Sequence, residues 1–142
     1  MPVVLGLDVG DARIGVAISD ELCIAAHRLC TIKRRDLERD TNEIQRIVEE
    51  YRVNKIVVGI PITLSGEIGI QAQKIQQFVE HLQKNLEVPI ETWDESLTTV
   101  DAENILISMD FSRRKRKKII DQVAAALILE AYLEYENKGT IS

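Results

Sequence analysis

Apolar and polar positions follow two different periods along this chain. From Val3 to Val9 (VVLGLDV) the residues are β-forming and interrupted by one carboxylate, Asp8. Gly10-Asp11 signals a turn, and Ile14 to Ile18 (IGVAI) reads as a second strand ending at Ser19-Asp20. A third strand is expected within Ala25 to Ile32, and the short connections make the three an antiparallel meander. The period then lengthens. Leu37, Ile44, Ile47, Val48 and Tyr51 fall on one face of a helix. Lys55 to Ile60 (KIVVGI) is a buried strand, stopped by Pro61 and the glycine-bearing stretch Gly66 to Gly69. A second helix should turn Ile70, Ile75, Phe78, Val79 and Leu82 inward. Val88 to Trp93, entered through Pro89, is the fifth strand. Thr98 or Thr99 suits the cap of a helix through Ile107, with Asp101 in its first turn. A last helix is expected from about Lys118 to Tyr135, and Ser112 would cap it earlier, drawing the preceding basic residues into it. The order β-β-β-α-β-α-β-α-α predicts an α/β fold. Its mixed five-stranded sheet would hold three antiparallel N-terminal strands, then two parallel ones, with helices on both faces.

Composition narrows this picture. A chain of 142 residues suits one domain spanning 1–142, large enough to bury a core without disulfide or metal staples. With 45% apolar and 29% charged residues, general disorder is excluded. Aromatics are only 4%, so the core should be Ile, Leu, Val and Ala. No apolar run is long enough to span a bilayer, and the N-terminus lacks a signal-peptide layout, so no membrane partner is expected. Cys23 and Cys30 suit reduced thiols in a cytoplasmic protein.

The net charge of −5 hides an asymmetry. Arg113, Arg114, Lys115, Arg116, Lys117 and Lys118 are six consecutive cations, and without them 12 basic residues face 23 acidic ones. A run of this kind is commonly a solvated surface. At the positive end of a helix it is electrostatically disfavoured, which points to a polyanionic partner on one face.

Asp8 is the first residue to suggest chemistry. A carboxylate within an apolar strand is costly to bury unless it is paired or coordinates something. It could cap the Gly10 turn, but other acids accompany it. Asp94-Glu95 ends the fifth strand, and Asp121 lies on the last helix just before Ala124, Ala125 and Ala126. Those small residues let the helix approach the sheet, so the three acidic segments can converge. No Lys or His sits at a matching spacing to neutralise them, so the carboxylates would raise each other's pKa unless a divalent cation compensates. Oxygen-only ligands suit Mg²⁺ or Mn²⁺, and paired ions about 3.5–4 Å apart serve phosphodiester hydrolysis. Arg13 could reach a phosphate there, or pair with Asp11 or Asp20. Gly66 and Gly69 precede a helix N-terminus, which suits either an ordinary strand-to-helix turn or a phosphate contact. Cys23, His27 and Cys30 lack a fourth ligand for zinc. By its period His81 should be solvated, and Trp93 should belong to the core. No spacing suggests a Ser-His-Asp or Cys-His pair.

Four stretches together resemble the YqgF family: GLDVGDARIGVAISD (Gly6 to Asp20), VVGIPITLSGEIG (Val57 to Gly69), DESLTTVDAE (Asp94 to Glu103) and KIIDQVAAALIL (Lys118 to Leu129). The family is a branch of the RNase H-like nucleases related to the RuvC Holliday-junction resolvases. The resemblance covers essentially the whole chain and implies that Asp8, Glu95 and Asp121 are the catalytic, metal-binding carboxylates. Ser96 stands where the family usually carries Arg, which removes one substrate contact. Ala124 and Ala125 stand where RuvC resolvases carry a further acid, leaving Asp94 as the nearest candidate for a fourth ligand. The implied activity is metal-dependent endonucleolytic hydrolysis, foremost in 5′-end maturation of precursor 16S rRNA. The implied partners are structured RNA and the pre-ribosomal particle, with the protein a monomer or homodimer. The alternative substrate is a Holliday-type DNA junction. Two other classes compete: a non-catalytic nucleic-acid-binding module, and an ATP-binding domain of the actin and sugar-kinase kind, whose first phosphate loop is similar to LGLDVGDARIGVA. The latter fold needs two such domains, more than 142 residues supply.

Overall fold

Strand alternation gives the two faces of the sheet side chains of very different size, and this decides what packs on each. The computed structural model describes residues 3–20, 22, 25–61, 69–94 and 113–140, except for the side chains of 113–118 and 138–140. The strands are β1 (Val4–Val9), β2 (Arg13–Ser19), β3 (Ala26–Lys33), β4 (Lys55–Ile60) and β5 (Ile90–Asp94). The helices are α1 (Leu37–Tyr51), α2 (Ile70–Asn85) and α3 (Arg113–Thr140). The sheet order is β3-β2-β1-β4-β5, with β1-β2 and β2-β3 antiparallel and β1-β4 and β4-β5 parallel, as the sequence predicts.

On one face, Leu5, Leu7, Val9, Ile14, Val16, Ile56, Val58 and Ile60 form a large apolar layer with α1 and α2. Fully burying each such aliphatic side chain is worth roughly 1.5–3 kcal/mol. The other face carries small residues, and α3 lies on it through Ala125, Ile128, Leu129, Tyr132 and Leu133. There a Cβ at Gly6 would sit 2.8 Å from Leu129 Cβ and 3.1 Å from the Ala125 carbonyl, so the missing side chain makes room for the helix. The spacing of these α3 residues is one helical stripe.

The differences from expectation lie at element ends. Ile70, Leu37 and Tyr51 are 75%, 47% and 40% exposed, not inward-facing, because each occupies the first or last position of its helix, beyond the neighbour it would pack on. β5 begins at Ile90 because Pro89 has no N–H for a ladder, although its carbonyl accepts the Ile56 N–H at 2.9 Å. α3 runs past Tyr135 to Thr140, and at its start the earlier of the two expected beginnings holds, taking in the whole basic run. Asp36 caps α1, accepting the Arg39 N–H at 2.8 Å, and Arg52 closes it at φ 54°, in the left-handed region. The helix expected from Thr98 or Thr99 to Ile107 lies outside the described residues. No helix among the described residues is long and apolar enough to cross a membrane.

Candidate active site

Asp8 stands on the α3 face of β1, directly opposite Gly15 of β2. A Cβ at Gly15 would overlap the backbone carbonyl of Asp121. The glycine therefore lets α3 descend until Asp121 lies beside Asp8. Gln122 holds the same turn in place, its Nε2 donating to Thr31 Oγ1 of β3 at 2.9 Å. Two carboxylates from opposite ends of the chain thus meet over the centre of the sheet.

Asp8 is half-buried, and no described residue donates a hydrogen bond to its carboxylate. Burial, with the charge of Asp121 as the smaller cause, pushes its pKa up to about 6. Mutual repulsion, the cause expected from the sequence, is therefore secondary here. Asp121 is neutralised by Arg13. Arg13 Nε donates to Asp121 Oδ2 at 2.8 Å, and the two side chains are 50% and 19% exposed. Of the two alternatives open to Arg13, the position beside the acids is the one it takes, and its ion pair is with Asp121, not with Asp11 or Asp20. Asp11 instead lies 3.6 Å from Lys74 Nζ.

The remaining candidates fall in different places. Asp94 ends β5 opposite Ile60, whose side chain belongs to the α1–α2 face. Its neighbour Trp93 points to α3, with ring centroids 5.8 Å from Tyr132 and 5.5 Å from Tyr135. By alternation the exposed Asp94 side chain therefore leaves the sheet on the side away from Asp8. Glu95, Ser96 and Gly66 lie outside the described residues. Gly69 is the N-cap residue of α2, with no side chain to cap it. Arg113 to Lys118 form the opening turns of α3. His81 is half-buried, not solvated, beside Glu38, Thr41 and Asn85. Among the described residues no three of His, Cys, Asp and Glu gather as a metal-binding group, so Asp8 and Asp121 are a pair.

Arg34 escaped the sequence reading. Its guanidinium donates to the Gly10 carbonyl at 2.9 Å and to Asp40 Oδ2 at 3.3 Å, and lies 4.9 Å from the Phe78 ring centre. It ties the β1–β2 turn beneath Asp8 to α1 and α2. A usable signal was Asp40, a carboxylate on the buried stripe of α1 that requires a cation.

A divalent cation fits this spot on the chemistry of the donors. Asp8 is a desolvated carboxylate without a described hydrogen-bond donor, and Asp121 adds a second oxygen ligand beside it.

The sheet order and crossovers place the molecule in the RNase H-like class. RuvC of T. thermophilus, in complex with Holliday junction substrate, superposes with a TM-score of 0.61 over 99% of this chain and 98% of its own, at 16% identity, which shows a shared fold. The chain belongs to the RuvX family, described as Holliday junction resolvase, whose model matches residues 2–135. A Halothermothrix orenii protein named "Putative pre-16S rRNA nuclease" is 47% identical over 135 residues, covering 95% of this chain and 96% of its own. A Clostridium tetani protein of the same name is 51% identical over 131 residues, covering 92% and 95%.

Proposed function

We propose that this protein is a divalent-metal-dependent endonuclease. Its reaction is hydrolysis of phosphodiester bonds in structured RNA, foremost at the 5′ end of precursor 16S rRNA, within one domain spanning 1–142. The observation that carries this reading is the meeting of Asp8 and Asp121, with Arg13 alongside. The names of relatives 47% and 51% identical support the substrate.

Asp8 and Asp121 would hold Mg²⁺ or Mn²⁺, with Glu95 completing the set; Asp94, on the other face of the sheet, drops out of it. Bound there, the metal supplies an activated water and stabilises the departing oxygen. Asp8 must be ionised to serve as a ligand, so its tuning to about 6 leaves it mostly charged at neutral pH. Arg13 is half-exposed and attached to Asp121 through one nitrogen, so its remaining donors can take a phosphate oxygen. Gly69 and the run Arg113 to Lys118 would contact the nucleic-acid backbone on either side. A cytoplasmic location, a pre-ribosomal partner and a monomeric or dimeric state belong to the same proposal.

A second reading is resolution of four-way DNA junctions, favoured by the family description and the RuvC fold. Incubation with labelled precursor-rRNA leader, duplex DNA and four-way junction separates the two. Each is tested with Mg²⁺, Mn²⁺ and chelator. Metal-dependent cuts confined to the leader are expected. Cuts confined to the junction would replace the first reading with the second, and no cuts anywhere would leave a binding module.

A further inference from the structure

We infer that the groove between the outer edge of β3 and α1 is a second backbone-contact surface. It would hold a helical arm of the nucleic acid whose scissile strand lies at Asp8 and Asp121. This rests on the nuclease reading above.

β3 is the terminal strand on its side of the sheet, and the groove beside it encloses about 460 Å³. Its charged and polar lining includes Lys33, Arg35, Arg39, Asn42, Glu43 and Arg46. In a chain of net charge −5 this is a local excess of cations. Asp40 also lines it but is spent internally. One of its oxygens accepts from Arg34 Nε at 3.3 Å and the other from the Arg35 backbone N–H at 3.0 Å. Arg39 lies 3.5 Å from Asp36, and Arg46 lies 2.9 Å from Glu43 and 3.3 Å from Glu50. These are exposed pairs within one helix segment, weak enough to exchange for phosphate. Lys33 and Arg35 form no ion pair within 4 Å with any described residue, although Arg35 is near enough to Glu43 to help hold its pKa down.

The second observation is the register. Lys33 is the cross-strand partner of Arg13, so two cations stand directly opposite each other at the sheet end. Asp121 already balances Arg13, which leaves Lys33 as the cation without an ion pair at that sheet end. Arg13 is the residue on Asp121, and Lys33 is one strand spacing further out, about 4.8 Å. By alternation Lys33, like Thr31, starts on the α3 face while α1 lies on the other, so the cations pass from Arg13 through Lys33 around the β3 edge to Arg35 and the groove. On α1, Arg39 to Arg46 covers about 10 Å of helix, roughly three nucleotide steps along one strand. The order of charges suits a phosphate backbone leaving the site. An acidic protein segment would need no such continuity with Asp121.

The test is binding in chelator, where cleavage is absent, of an RNA hairpin and of the same hairpin with its stem extended. The variant is Lys33→Gln/Arg35→Gln, two exposed positions, with a thermal melt to verify folding, and Lys33→Glu alone is a second variant. The double variant should lose about tenfold in affinity for the extended stem. Its log–log salt slope should fall by roughly 0.9 for each lost contact, and the short stem should be little affected. Unchanged affinity and slope on the extended stem would overturn the groove. So would an equal loss on both stems, which would mean general attraction only. If wild type still cleaves while the variant binds unchanged, only this inference fails. If wild type neither binds nor cleaves RNA or junction, the nuclease reading fails and takes the groove with it.

Discussion

Asp8 and Arg13 show what single residues contribute here. A carboxylate raised to about 6 from its ordinary value near 3.8 carries a penalty when ionised in the folded chain. Between about pH 4 and pH 6 the folded state binds more protons than the unfolded one, so metal-free stability falls as pH rises through that window and levels off above it. Asp8→Asn should therefore melt higher than wild type in chelator at pH 7–8, by about 1–3 kcal/mol, and match it near pH 4. Parallel urea titrations at the two pH values check this, and an Asn variant less stable at pH 7 would show that the carboxylate is held by a favourable contact. Mn²⁺ affinity should also weaken as pH falls below about 6, where Asp8 is protonated. If Asp121 holds the metal, removing the Arg13 guanidinium frees that ligand and deletes a repelling charge. Arg13→Ala should tighten Mn²⁺ binding several-fold by calorimetry while weakening nucleic-acid binding. Weaker Mn²⁺ binding would instead make Arg13 the residue that orients Asp121. Asp8 was legible in the sequence because one charge within VLGLDV needs a reason. The Arg13–Asp121 pair was not, because its partners are 108 residues apart and only the packing of α3 brings them together.

Elements were legible where the chain's own punctuation is strong. β4 runs from Lys55 to Ile60, as the apolar run before Pro61 predicts. Periodicity failed at helix ends, where Ile70, Leu37 and Tyr51 keep the apolar period without a surface to cover. It also ended α3 short at Tyr135, whereas the earlier start that takes in the basic run is the one found. The approach of α3 to the sheet is the element-scale feature that builds the site, and two glycines test it. Gly15→Ala sets a methyl against the Asp121 backbone, which cannot move without lifting the helix. Gly59→Ala meets the Ile128 side chain, whose terminal carbon can rotate. Urea unfolding should show a loss of about 3 kcal/mol for Gly15→Ala and a loss nearer 1 kcal/mol for Gly59→Ala, the two ends of the usual range for overpacking. Equal losses would mean that α3 yields as readily as a side chain.

At the scale of the whole molecule, charge is segregated. An acidic chain concentrates six cations in the first turns of the helix that also carries Asp121. Neutralising Arg113 to Lys118 should weaken binding to RNA and DNA alike and flatten the salt dependence, by roughly 0.7 to 0.9 in log–log slope per lost contact. An unchanged slope would make the run a solvated surface. The overall topology could be read from the alternation of periods, whereas the face on which each acid emerges could not. Asp94 and Trp93 show why: a one-residue change in where β5 is read reverses both side chains.

If Asp8 holds the metal, it serves cleavage and not the grip on nucleic acid. One measurement addresses it: cleavage and binding of the precursor-rRNA leader by wild type and Asp8→Asn, side by side in Mn²⁺. Wild type should cut in Mn²⁺ and not in chelator. Asp8→Asn should lose cleavage by at least about a hundredfold, on the scale of losing a metal ligand, with affinity within a few-fold of wild type. Undiminished cleavage by Asp8→Asn would place the chemistry away from the first strand.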